Sequence, residues 1–591
     1  MENTEVARVL NDVADLLEIK GSNPFRIRAY RNAAQVIAEW GTPLRKLVLD
    51  QADLTELPSI GKDMARHIDE LVSHGELTLL RDLSQEVPLT LIELTRLPGL
   101  GAKRAKKLWD ELDVTTLDDL EQAAKAGKVA ALAGFGEKTQ EKILSSINRY
   151  RMRRGRMKLG DADQHVVPLI EHLEANPNVK CVEVAGSYRR RRETVRDIDV
   201  LVVAVEPALV MDHFVNYPEI KKVESSGDTR STVVLKSGLQ VDLRVIRPES
   251  HGAALAYFTG SKEHNVKLRM RAMQRGLRLS EYGVFRGGDE DSGDPWAGEF
   301  VAGTDEHEVY QAIDLRWIPP ELRENRGEVE AAERGDLPDL ITLDAMRGDL
   351  QMHSTWSDGK DSLETMLAAC AARGYEYFAI TDHSKALAMT GGLDAARLRQ
   401  QWLEVDEIRS RHPEIRLLRG MEVDILADGT LDLEDEMLAE LDLVLISVHS
   451  RFDLPAIAQT ERVISAVQHP AVHILAHPTG RQINRREPMQ FDLDAVLQCA
   501  AANGVAVELN AHPDRLDLND VQLMRARELG CEIVINTDAH RTSDLDLMRY
   551  GVEQARRAWL QPSDVLNTLP CGELIERLRG NSSTTKRQPE T

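Results

Sequence analysis

The chain of 591 residues predicts a multidomain protein, α in front and α/β behind. Three observations carry this. The first 150 residues space their apolar side chains helically and repeat a Gly-containing turn. Residues 160–320 carry strand-like runs. Beyond residue 345, short apolar runs alternate with helical segments, and many of the runs end in His, Asp or Glu. At roughly 100–200 residues per domain, about three to five domains are expected.

The bulk composition, 42% hydrophobic and 29% charged, is that of a soluble globular protein. No apolar run approaches the ~18 residues that cross a bilayer. The start, MENTEVARVLNDVADLLEIK, lacks the basic head and apolar stretch of a signal peptide, so no membrane partner is expected. The five cysteines (Cys181, Cys370, Cys499, Cys531, Cys571) are scattered and odd in number. That argues against a disulfide framework or a thiolate zinc site, and for a reducing cytoplasm. A net charge of −23 argues only weakly against nucleic acid, because charge is often segregated.

In VARVLNDVADLLEI, Val6, Val9, Leu10, Val13, Leu16 and Leu17 fall on one helical face. LPSIG (57–61), LPGLG (97–101) and LAGFG (132–136) each lead into a helix. Such turns let backbone approach a phosphate at a helix N-terminus without reading sequence. The basic stretch RYRMRRGRMK (149–158) closes this region. VKCVEVAGS, DIDVLVVAV, STVVLKSG and LQVDLRVI then read as strands of one sheet. Residues 318–345 are charged, carry Pro and Gly, lack an apolar face and read as a linker. The tail GNSSTTKRQPET reads as disordered.

Residues 186–202, GSYRRRRETVRDIDVLV, set four arginines just before two aspartates. Asp197 and Asp199 are i and i+2 in a strand and share a face. Two such carboxylates repel unless a cation lies between them. With Asp242 from LQVDLRVI they make a trio suited to two Mg²⁺ or Mn²⁺ ions and in-line phosphoryl transfer. Gly186 and Ser187 offer a phosphate-binding turn, and the arginines are expected to neutralise substrate phosphates.

These residues resemble the nucleotidyltransferase palm of X-family DNA polymerases, the group containing polymerase beta, and YFTGSKEHN (257–265) strengthens the match. The glycine turns resemble helix–hairpin–helix motifs of DNA repair proteins. The resemblance implies that Ser187 and Arg190 contact dNTP phosphates. Tyr257, Phe258 and Gly260 flank the sugar, Asn265 meets the base edge and Arg269 reaches the template strand. Gly61, Gly99, Gly101, Gly134 and Gly136 bind DNA through backbone. Three departures stand out: Arg196 before the first aspartate, Gln240 two residues before Asp242, and His67 where the relative carries its Schiff-base lysine. An imidazole forms no imine, so no deoxyribose-phosphate lyase activity is expected by that route.

In the second half, DLQMHSTWSDG, ITDHS, GMEVDI, SVHS, LAHP and NTDAH supply His353, Asp358, His383, Glu422, His449, His477, Asp538 and His540, and the later five stand at the ends of strand-like runs. In parallel βα architectures all strand C-termini open on one face, where these groups should converge. Mixed imidazole and carboxylate donors suit Mn²⁺, Zn²⁺ or Fe. The motifs resemble the PHP (polymerase and histidinol phosphatase) domain. That implies a βα barrel-like fold and two or three ions. Glu422 would bridge two of them, His353 and Asp538 share the first, and His449 and His477 hold the second. Asp358, His383 and His540 would hold the third. Gln351 stands where many PHP domains have a histidine.

The expected organisation is a helical DNA-binding domain with a helix–hairpin–helix (1–85), a helix–hairpin–helix fingers-like region (86–155), a mixed-sheet palm (156–248), a thumb or nucleotide-selection region (249–318), a linker (319–344), a PHP phosphoesterase (345–578) and a tail (579–591). The expected activity is gap-filling DNA synthesis in repair, on gapped or nicked duplex DNA with dNTPs, joined to 3′→5′ exonuclease or 3′-end phosphoesterase activity. The alternatives are a silent palm on a DNA-binding phosphoesterase, a DNA-end-bridging scaffold, and a small-molecule phosphatase.

Overall fold

The computed structural model describes residues 3–38, 44–49, 52–75, 77–97, 99–153, 155–287, 294–387 and 390–582. Two compact units result, Met1–Arg154 and Gly155–Thr591.

The first unit is helical. Helix Asn3–Lys20 buries Val6, Val9, Leu10, Val13, Leu16 and Leu17, the face expected from their spacing. Each Gly-containing turn runs into a helix: Lys62–His74, Ala102–Leu112 and Glu137–Arg153. Side chains of 148–154, most of the basic stretch, lie outside the described residues, as do residues 583–591 of the tail. Residues 579–582 of that tail continue the last helix, Cys571–Ser582.

The second unit begins with a five-stranded sheet. Its spatial order is Val179–Val184, Asp197–Ala204, Gln240–Ile246, Arg230–Leu235, Ile220–Ser226. Four of these strands follow from the sequence. Ile220–Ser226, an edge strand, is almost wholly exposed and lacks an alternating pattern to announce it. One sheet face packs Val200 and Val202 against Leu169, Val210 and Phe214 of two helices. On the other, Leu201 packs with Ala254 and Leu255 of helix His251–Thr259. A three-stranded sheet, Leu277–Ser280, Gly283–Arg286 and Glu299–Ala302, follows.

Residues 319–344 are packed rather than a free linker. Arg323 is fully buried, donates to Glu306 at 2.6 Å and lies over the Tyr310 ring at 5.1 Å. Glu328 is fully buried against His264 at 2.6 Å. Several of the charges that suggested a linker meet partners distant in sequence, among them Glu324 with Arg190, Glu321 with Arg556 and Arg326 with Asp520.

Seven parallel strands in sequential order, from Gly348–Asp349 to Ile533–Asn536, build the C-terminal part. A parallel bridge, Met352 to Ala539, joins the segments after the first and last strands, so the sheet nearly closes into a barrel. Strand Ala506–Asn510 was not anticipated, although its run of fully buried residues is typical of parallel sheets.

Candidate active sites of the palm and the barrel

In the palm, parallel pairing sets Asp199 opposite Asp242 and Asp197 opposite Gln240. The three carboxylates therefore share one sheet face, the face that also carries Leu201. They stand half-buried along their strands. Among the described residues they do not close into one cluster within 4.8 Å, as the barrel ligands do. Burial first, then Asp197 and Asp242, push Asp199 up to about 6, against the pull of Arg244 and Arg190. A carboxylate disfavoured by its like-charged neighbours is what a bound divalent ion relieves.

Asp242 accepts from Gln240 Nε2 at 2.8 Å and from the Thr232 hydroxyl, with Arg230 at 3.7 Å. Gln240 thus orients the acid from a neutral side chain. Arg196 is exposed. Gly186 sits at φ +65°, and a Cβ there would lie 2.5 Å from Asp199 Oδ2. The turn that carries half-buried Ser187 can touch the strand of Asp199 only because this residue is glycine.

The arginine cluster departs from expectation. Arg189 clamps Glu306 at 2.8 and 2.9 Å, and Arg190 pairs with Glu324 at 3.0 Å while donating to the Thr259 carbonyl at 2.7 Å. Arg191 pairs with Glu553, and Arg192 reaches Glu324 at 3.5 Å. The cluster read as a binder of substrate phosphates is bonded to carboxylates from three distant segments. Arg190 still borders Asp199 closely enough to pull against its rise.

Tyr257 and Phe258 meet edge to face at 5.2 Å, and Arg244 lies 4.6 Å from the Phe258 ring centre. A Cβ on Gly260 would lie 2.6 Å from Asn265 Oδ1. The Asn265 amide donates to the carbonyls of Tyr257 at 2.6 Å and Gly260 at 3.2 Å, so here it braces this turn. Arg269 is exposed on helix Lys262–Gln274.

In the front unit, Ser59, Gly99 and Gly134 occupy the middle of the three turns with φ of +61°, +82° and +86°. A Cβ at Gly61, Gly101, Gly134 or Gly136 would meet nothing within 4 Å. No packing requires these glycines, so their bare backbone is open to a ligand. His67 hydrogen-bonds Tyr30 through Nδ1 at 3.0 Å.

At the barrel, all eight expected donors gather where the strands end. Glu422 is central. His477 Nε2 lies 2.9 Å from its Oε1, and His449 Nε2 lies 3.4 Å from the same oxygen. His353 Nε2 and His383 Nδ1 each lie 3.4 Å from its Oε2. His353 also lies 3.1 Å from Asp538. His383 and His540 flank Asp358 at 3.7 and 3.4 Å. Three groups fall within metal-ligand reach: His353–Glu422–Asp538, His383–Glu422–His449 and His353–Asp358–His383–His540. Burial opposes ionisation of Glu422, yet the imidazoles of His383, His449 and His477 hold it well below the usual carboxylate range. Burial likewise opposes charge on His353, yet Asp538, Asp358 and Glu422 lift it to about 10. His477 and Asp538 adopt left-handed φ of +27° and +57°, strain common at functional sites.

Several buried polar atoms here have no hydrogen-bond partner: His353 Nδ1, His383 Nδ1, His477 Nδ1, Glu422 Oε2, and both amide atoms of Gln351. Orphaned donors and acceptors at a ligand cluster fit bound cations. The supporting residues were not legible. Asp424 bonds His449 at 3.1 Å, Asn510 bonds Asp538 at 3.1 Å, and Arg515 lies 3.7 Å from Asp538. Asp424 and Asn510 close the strand runs GMEVD and AVELN, which was the available signal.

Comparison with known proteins identifies the domains. Family models match for a helix-hairpin-helix domain (1–77), a SAM-like helix-hairpin-helix tandem (91–149), the DNA polymerase beta thumb (254–324) and the PHP domain (349–512). The chain is 41% identical over 583 residues, 98% of its length, to the whole of the DNA polymerase/3′-5′ exonuclease PolX of Bacillus subtilis. It is 28% identical over 234 residues, 38% of its length, to a probable phosphatase of Edwardsiella ictaluri, spanning 90% of that protein. DNA polymerase lambda of Arabidopsis thaliana matches at 25% over 346 residues, 54% of this chain and 62% of that one. With two acid-rich centres and a full-length relative of this similarity, the chain belongs to the X-family DNA polymerases that carry a C-terminal PHP domain.

Proposed function

We propose that this protein fills short gaps in duplex DNA during repair, adding dNTPs at the palm and removing 3′ nucleotides or blocking groups at the barrel. The observation that carries this reading is the separation of two centres in one chain: the aspartate trio on the palm sheet and the His/Asp/Glu cluster at the barrel end. Asp197, Asp199 and Asp242 would hold two Mg²⁺ or Mn²⁺ ions, and the eight barrel donors two or three ions of Mn²⁺, Zn²⁺ or Fe. When bound, such ions activate the attacking oxygen and neutralise phosphoryl charge.

The chain's own groups do the positioning. Ser187 and Arg190 face the triphosphate, with Arg190 exchanging Glu324 for phosphate as substrate enters. Tyr257, Phe258 and Gly260 form the sugar wall, Asn265 lies at the base edge, and exposed Arg269 reaches the template strand. The bare glycine turns of the front unit, at Gly61, Gly99, Gly101, Gly134 and Gly136, grip DNA phosphates. In the barrel, Arg515, whose Nη1 has no partner, is suited to a phosphate oxygen. A silent palm is disfavoured, since Gln240 orients Asp242 and Arg196 points to solvent. No described helix is long and apolar enough to cross a membrane, and the working compartment is taken as the cytoplasm.

Asp197→Ala is expected to lower nucleotide addition on gapped DNA roughly a thousandfold, a loss of several kcal/mol, while Mn²⁺-dependent 3′ hydrolysis persists. His353→Ala is expected to do the reverse. Loss of both activities in either folded variant would overturn the division of labour.

A further inference from the structure

Besides the barrel ligands, one more group of described residues has convergent metal-donor atoms: Cys181, Glu183 and His251, with one donor atom each within 4.8 Å of the others. The absence of a CxxC pair hid it from the sequence, because the imidazole comes from a segment 70 residues away. We propose that these three side chains form a site for a thiophilic divalent cation such as Zn²⁺, with solvent at the fourth position.

Strand alternation puts Cys181 and Glu183 on one face of the strand Val179–Val184. Antiparallel pairing sets Glu183 opposite Leu201 and Cys181 opposite Val203, so they share the face covered by helix His251–Thr259. His251 opens that helix and turns its ring toward them. Its Nε2 lies 3.8 Å from Cys181 Sγ. A tetrahedral ion bonded to one thiolate and one imidazole separates those atoms by about 3.6 Å. The donors are half-buried, which leaves an open side for water. Thiolate, imidazole and carboxylate together favour Zn²⁺ over Mg²⁺. Val203, opposite Cys181, lies four steps along the strand from Asp199, on the order of 13 Å, and Leu201, opposite Glu183, lies two steps from it, about 7 Å. Glu183 is therefore the member nearest the aspartate trio, and Cys181 stands well apart from it.

Its position gives it a mechanical role. The strand leads directly into the Gly186–Ser187 turn, and the helix ends at Tyr257, Phe258 and Thr259. A bound cation would fasten the phosphate turn to the sugar wall. The site stands whether or not the palm adds nucleotides.

Cobalt separates this site from every other. Neither the aspartate trio nor the barrel cluster contains cysteine. Cys181 is the one cysteine in the donor groups found among the described residues, so a thiolate-to-Co²⁺ charge-transfer band in the near ultraviolet that is lost with Cys181 reports this site. Titration of chelator-treated full-length protein with Co²⁺ should raise this band to the intensity of one thiolate–cobalt bond per chain, after or alongside filling of the cysteine-free centres. Cys181→Ser should abolish it, and Asp199→Asn should keep it. If Cys181→Ser does not fold, His251→Gln should shift the band and weaken binding by tenfold or more. In addition, Zn²⁺ should protect Cys181, but not half-buried Cys499 or Cys571, from alkylation. Absence of a band, or a band unchanged in these variants, would mean that only a thiol–imidazole hydrogen bond exists there.

Discussion

Single residues decide how tightly each centre is arranged. Gly186 is the sharpest case: its turn passes so close to Asp199 that any side chain would strike the carboxylate. Gln240 is the quieter one. Its amide donates to Asp242 at 2.8 Å, and Thr232 supplies the second bond. A hydrogen bond to a charged group contributes about 1.5 kcal/mol, close to a tenfold change in rate. Gln240→Ala should therefore lower kcat for single-nucleotide addition about tenfold with the fold intact. Gln240→Arg should restore much of it, because an arginine offers the same acid a donor. Unchanged kcat in Gln240→Ala would show that Thr232 alone holds Asp242. Gln351 is a contrasting case, since its amide is fully buried and bonded to nothing in the protein.

At the scale of elements, buried ion pairs tie the thumb to the palm. Glu306 begins helix Glu306–Ala312 and takes Arg189 from the palm and Arg323 from the end of the thumb match. Burial opposes its charge, but Arg323 and Arg189 win and hold Glu306 at about 2. Its folded value lies below the ordinary 4.5, so its stabilisation is complete above pH 4.5 and fades as pH falls toward 2. A shift of that size corresponds to about 3 kcal/mol. Glu306→Gln should speed hydrogen exchange in that helix at pH 7, and the gap from wild type should narrow below pH 4.5. A gap independent of pH would rule out the ionised carboxylate as its cause. These pairs also explain what was legible. Helical spacing gave the first helix, and strand runs ending in His or Asp gave the barrel centre, because both signals are local. Residues 319–344 misled because Arg323 and Glu328 find partners 17 and 64 residues away. The carboxylate partners of the arginine cluster were hidden for the same reason, since Glu306, Glu324 and Glu553 lie more than 100 residues away.

Across the second unit, the palm arginines contact the barrel. Arg191 pairs with Glu553, Arg481 with Glu193 at 2.7 Å, and Tyr550 donates to Asp163 at 2.7 Å. Arg557 is central, with a side chain 1% exposed. It donates to the Arg190 carbonyl at 2.6 Å and pairs with Glu324 at 3.1 Å and Asp520 at 2.6 Å. Glu324 is also the partner of Arg190, so one carboxylate joins the edge of the polymerase centre to the barrel. Burial disfavours charge on Asp520, but Arg557 and Arg326 hold it down at about 2. Removing one member of such a buried set leaves uncompensated charge and costs about 3–5 kcal/mol. Palm and barrel should therefore melt together in calorimetry of the wild type. Arg557→Ala should split that transition in two, while Mn²⁺-dependent hydrolysis survives below the first step. Because these pairs are shielded from solvent, 1 M salt should not reproduce the split. Two transitions already in the wild type, or a split caused by salt alone, would mean that palm and barrel are neighbours held by surface charge rather than one cooperative body.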